Sequence, residues 1–245
     1  MFEKSRLHFF CKHLALSVLV SGFILGWVFF VWYPAPLAKA LGAVNILWMV
    51  IIVDIILGPL LGFLVYKKGK KTLKIDLAVI IFFQCLAMAY GVYSLEKTRP
   101  VWVVYTGNNF DLVRKNEIID DKGGAVAAQF KKVSWFKPQF VAAEYSRDDE
   151  KKYSEMFKEM NQGYSRAQMP AFYKTLDTAE SEMVRKSKDL NDLNGLNDKD
   201  KIKDALKNNM KADAWLPLKT YNIDMVVLIN RKEKQIVNIV DLRPE

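Results

Sequence analysis

Cysteine and histidine are nearly missing from this chain of 245 residues. Cys11, Cys85, His8 and His13 are the only ones, and all four lie in the first 95 residues. From residue 98 onward there is neither type. That stretch therefore cannot build a Ser-His or Cys-His nucleophilic site, a standard zinc site or a disulfide. A cysteine-free domain suits either side of a membrane, so this does not place it. No glycine-rich phosphate loop is present. Placing Gly195 at the sixth position of a calcium loop puts Leu190 where the first aspartate belongs, so the EF-hand pattern fails. His8 and His13 sit near one end of a single apolar run, whereas a haem held between helices needs histidines on two. Strong charge of one sign is lacking as well. The chain carries 36 Lys and Arg against 27 Asp and Glu, a net +9, but nine of the bases and only three of the acids fall in residues 1–95. The remainder, 27 against 24, is only weakly basic. This argues against a nucleic-acid surface, which needs clustered positive charge to neutralise phosphates. Acids are plentiful after residue 98, but no spacing pairs them for catalysis. A membrane-bound enzyme that uses carboxylates stays open on these residues, although charged residues on such a domain ordinarily form a solvated surface.

What the first hundred residues hold instead is long uncharged runs. Leu14–Tyr33 is about twenty residues without a charge, enough at ~1.5 Å per residue to cross a ~30 Å hydrocarbon core. Trp27, Trp32 and Tyr33 gather toward its far end, where amphipathic rings favour the interface, and Pro34 and Pro36 then stop the helix. Val44–Tyr66 is a second span, interrupted only by Asp54. Leu77–Leu95 is a third, closed by Glu96, Lys97 and Arg99. Ala38-Lys39-Ala40 fits a signal-peptide cleavage pattern, but the first apolar run exceeds the ~7–15 residues of such a peptide. The basic residues set the orientation. Lys4, Arg6 and Lys12 precede the first span, and Lys67, Lys68, Lys70, Lys71 and Lys74 join the second to the third. The connection between the first and second has only Lys39. Positive loops stay cytoplasmic. The expectation is a membrane domain over residues 1–97 with its N-terminus inside, then a periplasmic domain over 98–245.

Asp54 lies near the middle of the second span, where a carboxylate costs about 2.5–3.5 kcal/mol on insertion scales. It should face other helices. Pro59, five residues on, cannot donate to the carbonyl of Ile55, which points to a polar, slightly kinked spot in a helix bundle. Two uses stand side by side. One is contact with a membrane-embedded partner, the other a hydrogen bond to Ser17, Ser21, Asn45 or Gln84 that fixes packing. Small residues recur at four-residue spacing in Gly22/Gly26, Gly58/Gly62 and Ala87/Gly91, a spacing that lets helices approach closely. Packing among the chain's own spans is the expected use. Asp76 opens the third span and complements the helix dipole.

The second half alternates strand and helix signals. Val101–Tyr105 and Phe110–Arg114 read as strands joined by a turn at Gly107–Asn109, with a further turn at Asp120–Gly124. Asp148–Asn161 reads as a helix with Tyr153, Met156, Phe157 and Met160 on one face. Thr178–Lys188 and Ile202–Met210 read as helices around a loop at 189–200. Asp224–Asn230 and Gln235–Asp241 form a hairpin about residues 231–234. The fold class is a membrane protein, with three transmembrane helices followed by a small soluble α+β domain.

Several of these pieces together resemble a known family. They are Val53-Asp54, Leu57-Gly58-Pro59-Leu60-Leu61, Leu64-Val65-Tyr66, Gly69-Lys70-Lys71, Leu73-Lys74 and Asp76-Leu77-Ala78-Val79-Ile80. With them go Trp32-Tyr33-Pro34-Ala35-Pro36, Arg99-Pro100-Val101, Trp215-Leu216-Pro217-Leu218, Asp224-Met225-Val226-Val227-Leu228 and Val240-Asp241-Leu242-Arg243-Pro244. The pattern resembles the type IV pilin accessory proteins called TfpX/TfpZ, at both ends of the chain and most specifically in spans two and three. Residues 115–210 match only in type, and Gly62 stands where the family usually has Thr. The resemblance implies an inner-membrane protein that helps a cognate type IV major pilin reach or stay on the cell surface, with no enzymatic activity or cofactor. Under it, Asp54, Gly58, Pro59 and Gly62 are candidates for pilin contact or bundle packing. A competing reading is a membrane sensor subunit whose outer domain binds a ligand.

Overall fold

The computed structural model describes residues 2–119, 125–146 and 148–245. The chain forms two compact units. One comprises residues up to Ala38 together with Gly42–Thr98, the other Lys39–Leu41 and Arg99–Glu245. The turn expected at Asp120–Gly124 lies outside the described residues.

In the first unit, helix α1 runs Phe2–Trp27 and continues as a π-helical turn, Val28–Trp32, that ends before Pro34. The short α2 (Leu37–Ala40) precedes α3 (Ala43–Ile51), a second π-helical segment (Ile52–Leu57) and α4 (Gly58–Val65), the last three forming one continuous span. Helix α5 covers Leu73–Thr98. Lys4–Trp32, Ala43–Val65 and Leu73–Thr98 are each long and apolar enough to cross a membrane. The first and third helices outrun the apolar runs read from sequence. Backbone hydrogen bonding carries a helix through its charged ends, whereas a hydropathy boundary stops at the first charge.

Their packing is inverted relative to a water-soluble bundle. Leu16, Leu19, Phe23, Phe30, Phe82 and Phe83 point outward, while Ser17, Ser21, Asp54 and Gln84 are buried. Lipid tails are as apolar as leucine, so helices in a bilayer associate through close packing and polar contacts rather than through apolar burial. Tyr33 at the end of the first span donates its hydroxyl proton to the Leu95 carbonyl at 2.8 Å and lies 3.0 Å from Thr98 Oγ1, pinning the first span to α5.

The second unit is built on one mixed sheet. Strands β1 (Pro100–Tyr105) and β2 (Phe110–Arg114) form an antiparallel hairpin, and β3 (Gln139–Ala143) lies parallel to β1. Helix α6 (Asp149–Gln162) follows, then β4 (Tyr173–Thr175), α7 (Glu180–Lys186), β5 (Lys188–Asp189) and α8 (Lys199–Lys207). Strands β6 (Ala214–Lys219), β7 (Met225–Asn230) and β8 (Gln235–Val240) close the unit. The spatial order is β4-β3-β1-β2-β6-β7-β8, with β5 also paired to β6. Trp102 centres one core with Val104, Val113, Phe130, Val141 and Tyr173. Trp215 centres the other with Leu193, Ile202, Val226, Leu228 and Leu242.

Three sequence expectations are corrected here. The helix read over Thr178–Lys188 is a 3-10 turn at Leu176–Ala179, then α7, and its last residue already belongs to β5. The loop read at 189–200 contains a helical segment, Leu190–Gly195, because Leu193 is drawn into the Trp215 core. The helix read over Ile202–Met210 is α8, three residues earlier at each end, because Asp198 caps it by accepting from the Asp200 N–H.

Candidate functional site

The buried polar centre of the first unit is built around Asp54, midway along the helical stretch Ala43–Val65. Ser21 Oγ donates to Asp54 Oδ2 from α1. Gln84 Nε2, on α5, lies 3.3 Å from Asp54 Oδ1 and 3.2 Å from the Asp54 main-chain oxygen. All three spans therefore meet at one carboxylate. Of the four partners considered from sequence, Ser21 and Gln84 bond to it.

The π-helical segment explains the second Gln84 bond. The Gly58 N–H donates to Val53, five residues back rather than four. In that register the next donor is residue 59, aimed at the carbonyl of Asp54, and proline has no N–H. The π register thus adds the Asp54 carbonyl to what Pro59 leaves without a helical donor. Gln84 supplies the donor that Pro59 withholds. An unpaired carbonyl at this depth has no water to turn to.

Glycine makes the approach possible. A Cβ on Gly58 would sit 1.7 Å from Gln84 Nε2 and 2.0 Å from its Cδ. A Cβ on Gly62 would lie 3.1 Å from both His13 Nδ1 and Phe9 Cε1, and one on Gly91 would lie 2.4 Å from Val50 Cγ2. Gly22 and Gly26 behave otherwise. Among the described residues nothing lies within 4 Å of a Cβ at either position, so no close approach there requires glycine.

The lysine-rich connection lies between α4 and α5. Lys67, Lys68, Lys70 and Lys71 are exposed, Lys74 lies in the first turn of α5, and Lys70 pairs with Asp76 at 2.7 Å. One basic residue has a role that sequence reading missed. Arg6 Nη2 donates to the Leu64 carbonyl at 3.2 Å, its Nε donates to the Phe63 carbonyl, and its guanidinium lies 4.2 Å from the Phe63 ring centre. It completes carbonyls that the end of α4 leaves unpaired. No sequence spacing links residues 6 and 63.

The second unit has its own polar cluster beside the β1–β2 turn. Arg166 lies 4.2 Å from the Tyr145 ring centre and donates through Nη2 to the Thr106 carbonyl. Glu159 on α6 accepts from the Arg166 N–H at 3.0 Å and from the Tyr145 hydroxyl. Asp111 accepts from Thr106 Oγ1 at 2.8 Å and Asn109 Nδ2 at 3.1 Å. Burial pushes the Asp111 carboxyl above the ordinary carboxylate range, although these bonds and the charge of Lys219 act the other way. Burial likewise raises the Tyr145 hydroxyl, and its bond to Glu159 adds to this. Two open cavities, of about 370 and about 400 Å³, share Tyr145 and Arg166. The first is also lined by Asp111, Lys219, Met156 and Met160. Its lining carries both signs of charge, Arg166 and Lys219 beside Asp111 and Glu159. Among the described residues no three His, Cys, Asp or Glu side chains are grouped to hold a metal ion.

The connection between the first two spans contributes three residues to this second unit. The Ala40 carbonyl accepts from the Asn222 and Ile223 N–H groups at 3.2 Å and from Thr220 Oγ1 at 3.0 Å, while Lys39 pairs with Asp241.

Comparison with known proteins identifies relatives. Residues 2–42 match the family described as fimbrial assembly protein FimB. Fimbrial assembly protein, serogroup E1, of Dichelobacter nodosus is 28% identical over 240 residues, which is 94% of this chain and 92% of the relative. The serogroup I protein of the same organism is 30% identical over 178 residues, 71% of this chain and 68% of the relative. The protein of serogroups C1 and C2 is 35% identical over 112 residues, 45% of this chain and 86% of the relative. No solved structure matches.

Proposed function

The chain belongs to the fimbrial assembly protein family, and from that premise we propose that it is a non-enzymatic inner-membrane factor of the TfpX/TfpZ kind. It acts as a chaperone-like accessory that helps a cognate type IV pilin be assembled or displayed. The observation that carries this is similarity to a fimbrial assembly protein over 94% of the chain, through the spans and the sheet domain alike. In this reading the lysines of the α4–α5 connection and those near the N-terminus hold those ends in the cytoplasm. The sheet domain then stands in the periplasm, together with Lys39, whose pairing with Asp241 makes it a weak competitor for cytoplasmic retention. The membrane unit receives the apolar helix of the pilin, and Asp54 with Gly58, Pro59 and Gly62 sets the shape of the bundle that does so. The bonds from Ser21 and Gln84 support a packing role for Asp54 over direct contact.

The reading is tested in the native host by deleting the gene and measuring surface pilin against total pilin, with wild type or Asp54→Leu supplied in trans. A fall in surface pilin restored by wild type supports the accessory role, and total pilin separates protection from assembly. Asp54→Leu should express normally and restore little. If surface and total pilin are both unchanged under piliating conditions, the accessory reading fails. The Arg166 cavity then favours the second reading, a sensor subunit that binds a ligand in its outer domain.

A further inference from the structure

We propose that α6 is a homotypic docking surface, through which two copies of this chain pair by antiparallel contact of their α6 helices. The proposal is independent of the accessory reading.

Helix α6 is well specified locally. Asp148 accepts from the Lys151 N–H at 3.1 Å as N-cap, and Gly163 at φ +67° ends the helix in the left-handed region. Its apolar residues, Tyr153, Met156, Phe157 and Met160, share one face by their three- and four-residue spacing. A water-soluble domain ordinarily turns such a face inward. Here Tyr153 is 71% exposed, Phe157 68%, Met160 83% and Met156 38%. The polar side is the one held against the domain. Glu155 accepts from the Ser146 N–H at 2.8 Å, and Glu159 accepts from the Arg166 N–H and the Tyr145 hydroxyl. Charge-assisted bonds thus fix the helix with its apolar face outward.

The face is complementary to itself. A two-fold axis between Met156 and Phe157 sets Met156 against Phe157 of the second copy, and Tyr153 against the second copy's Met160. Every aromatic ring then meets a thioether, a contact of about 0.3–1.5 kcal/mol, four times per pair. The patch is small, two aromatic and two methionine side chains per copy, below the ~800 Å² per partner of stable soluble complexes. Such a surface suits a partner already confined to the same membrane, where effective concentration is high, and a second copy meets that condition.

The test uses the full-length chain with Cys11→Ala and Cys85→Ala, which leaves no native thiol. Phe157→Cys is introduced in this background and treated in native membranes with a short bis-maleimide. A species at twice the 28.2 kDa mass is expected, several-fold stronger than with Met210→Cys, whose position is 88% exposed. With Met160→Cys the same species should form, and Tyr153→Glu should abolish it. Equal yields at residues 157 and 210 mean random collision and overturn the proposal. So does survival of the Met160→Cys dimer in the presence of Tyr153→Glu. Cross-linking of Phe157→Cys to a fimbrial subunit instead of to itself also overturns it, and assigns the face to that partner.

Discussion

Replacing Gly58 with alanine tests whether the Asp54 centre holds the bundle together. The new Cβ would fall 1.7 Å from Gln84 Nε2 and 2.0 Å from its Cδ, so the carboxamide must move. Gln84 is flexible, and stepping aside is itself cheap. The cost lies in what it leaves behind, its two contacts to Asp54 at 3.2 and 3.3 Å. Hydrogen bonds between membrane helices average about 0.6 kcal/mol and reach about 1.7. The stranded Asp54 carbonyl adds ~1–3 kcal/mol of unmet desolvation. Against this, alanine gains up to about 1 kcal/mol of helix propensity over glycine. The net expectation is a loss of ~1–3 kcal/mol. Gly22→Ala is the internal control, because nothing lies within 4 Å of its added methyl, and it should be neutral or slightly stabilising. The assay is unfolding of the full-length chain in mixed micelles by increasing dodecyl sulfate fraction, followed by helical circular dichroism. Gln84→Ala should itself destabilise, and Gly58→Ala added to it should cost nothing further, since the clash and the bonds are already gone. The reasoning is refuted if Gly58→Ala behaves like Gly22→Ala, or if the two losses simply add.

Two more outcomes follow from contacts described above. Arg6→Gln should weaken the membrane unit by about 1–2 kcal/mol in the same titration, because the end of α4 loses a charged donor; Lys4→Gln, exposed and without such contacts to α4, should not. Asp111→Asn should change the pH dependence of the sheet domain. The Asp111 carboxyl is raised by burial, so the folded state holds its proton more tightly than the unfolded state. That contribution is fully present below the unfolded value of about 3.9 and is lost as pH rises through the folded value. The melting temperature of Asp111→Asn relative to wild type should therefore climb from pH 4 toward pH 7, and a constant difference would remove Asp111 as the titrating group.

The sequence disclosed some of this and concealed the rest for physical reasons. Uncharged runs marked three long apolar helices because the bilayer imposes length and composition directly. Asp54 stood out because a carboxylate at that depth demands a partner, and short polar residues within reach were few. That Pro59 withholds a donor from the Asp54 carbonyl was not legible, since it depends on a five-residue register that no residue type announces. The hairpins β1–β2 and β7–β8 are local and alternate cleanly. Strand β6 was hidden by Pro217, which argues against a central strand. In the structure β5 pairs β6 at residues 214–215 and β2 pairs it at 218–219, so on that side residue 217 falls in the gap between them, where no neighbour requires an N–H. Strands β3 and β4 are short and pair over long sequence distances, with partners set by the assembled sheet. The Arg6 contact spans 57 residues and is equally invisible to spacing.

Both units contain helices that turn polar residues toward the protein and apolar residues away from it, but the explanations differ. For the three long apolar helices the outward face suits lipid, which tolerates leucine and phenylalanine, and the inward Ser21, Asp54 and Gln84 satisfy one another. Solvent accounts for the inversion. Helix α6 belongs to the sheet domain, whose two cores obey the opposite rule, with apolar residues gathered around Trp102 and Trp215 inside. Water offers Tyr153, Phe157 and Met160 nothing, and the exposed face forgoes several kcal/mol of burial at about 25 cal/mol per Å². Glu155 and Glu159 nevertheless hold it outward. An inversion that solvent does not explain calls for a partner, and the methionine–aromatic pairing proposed above supplies one by setting the face against its own complement.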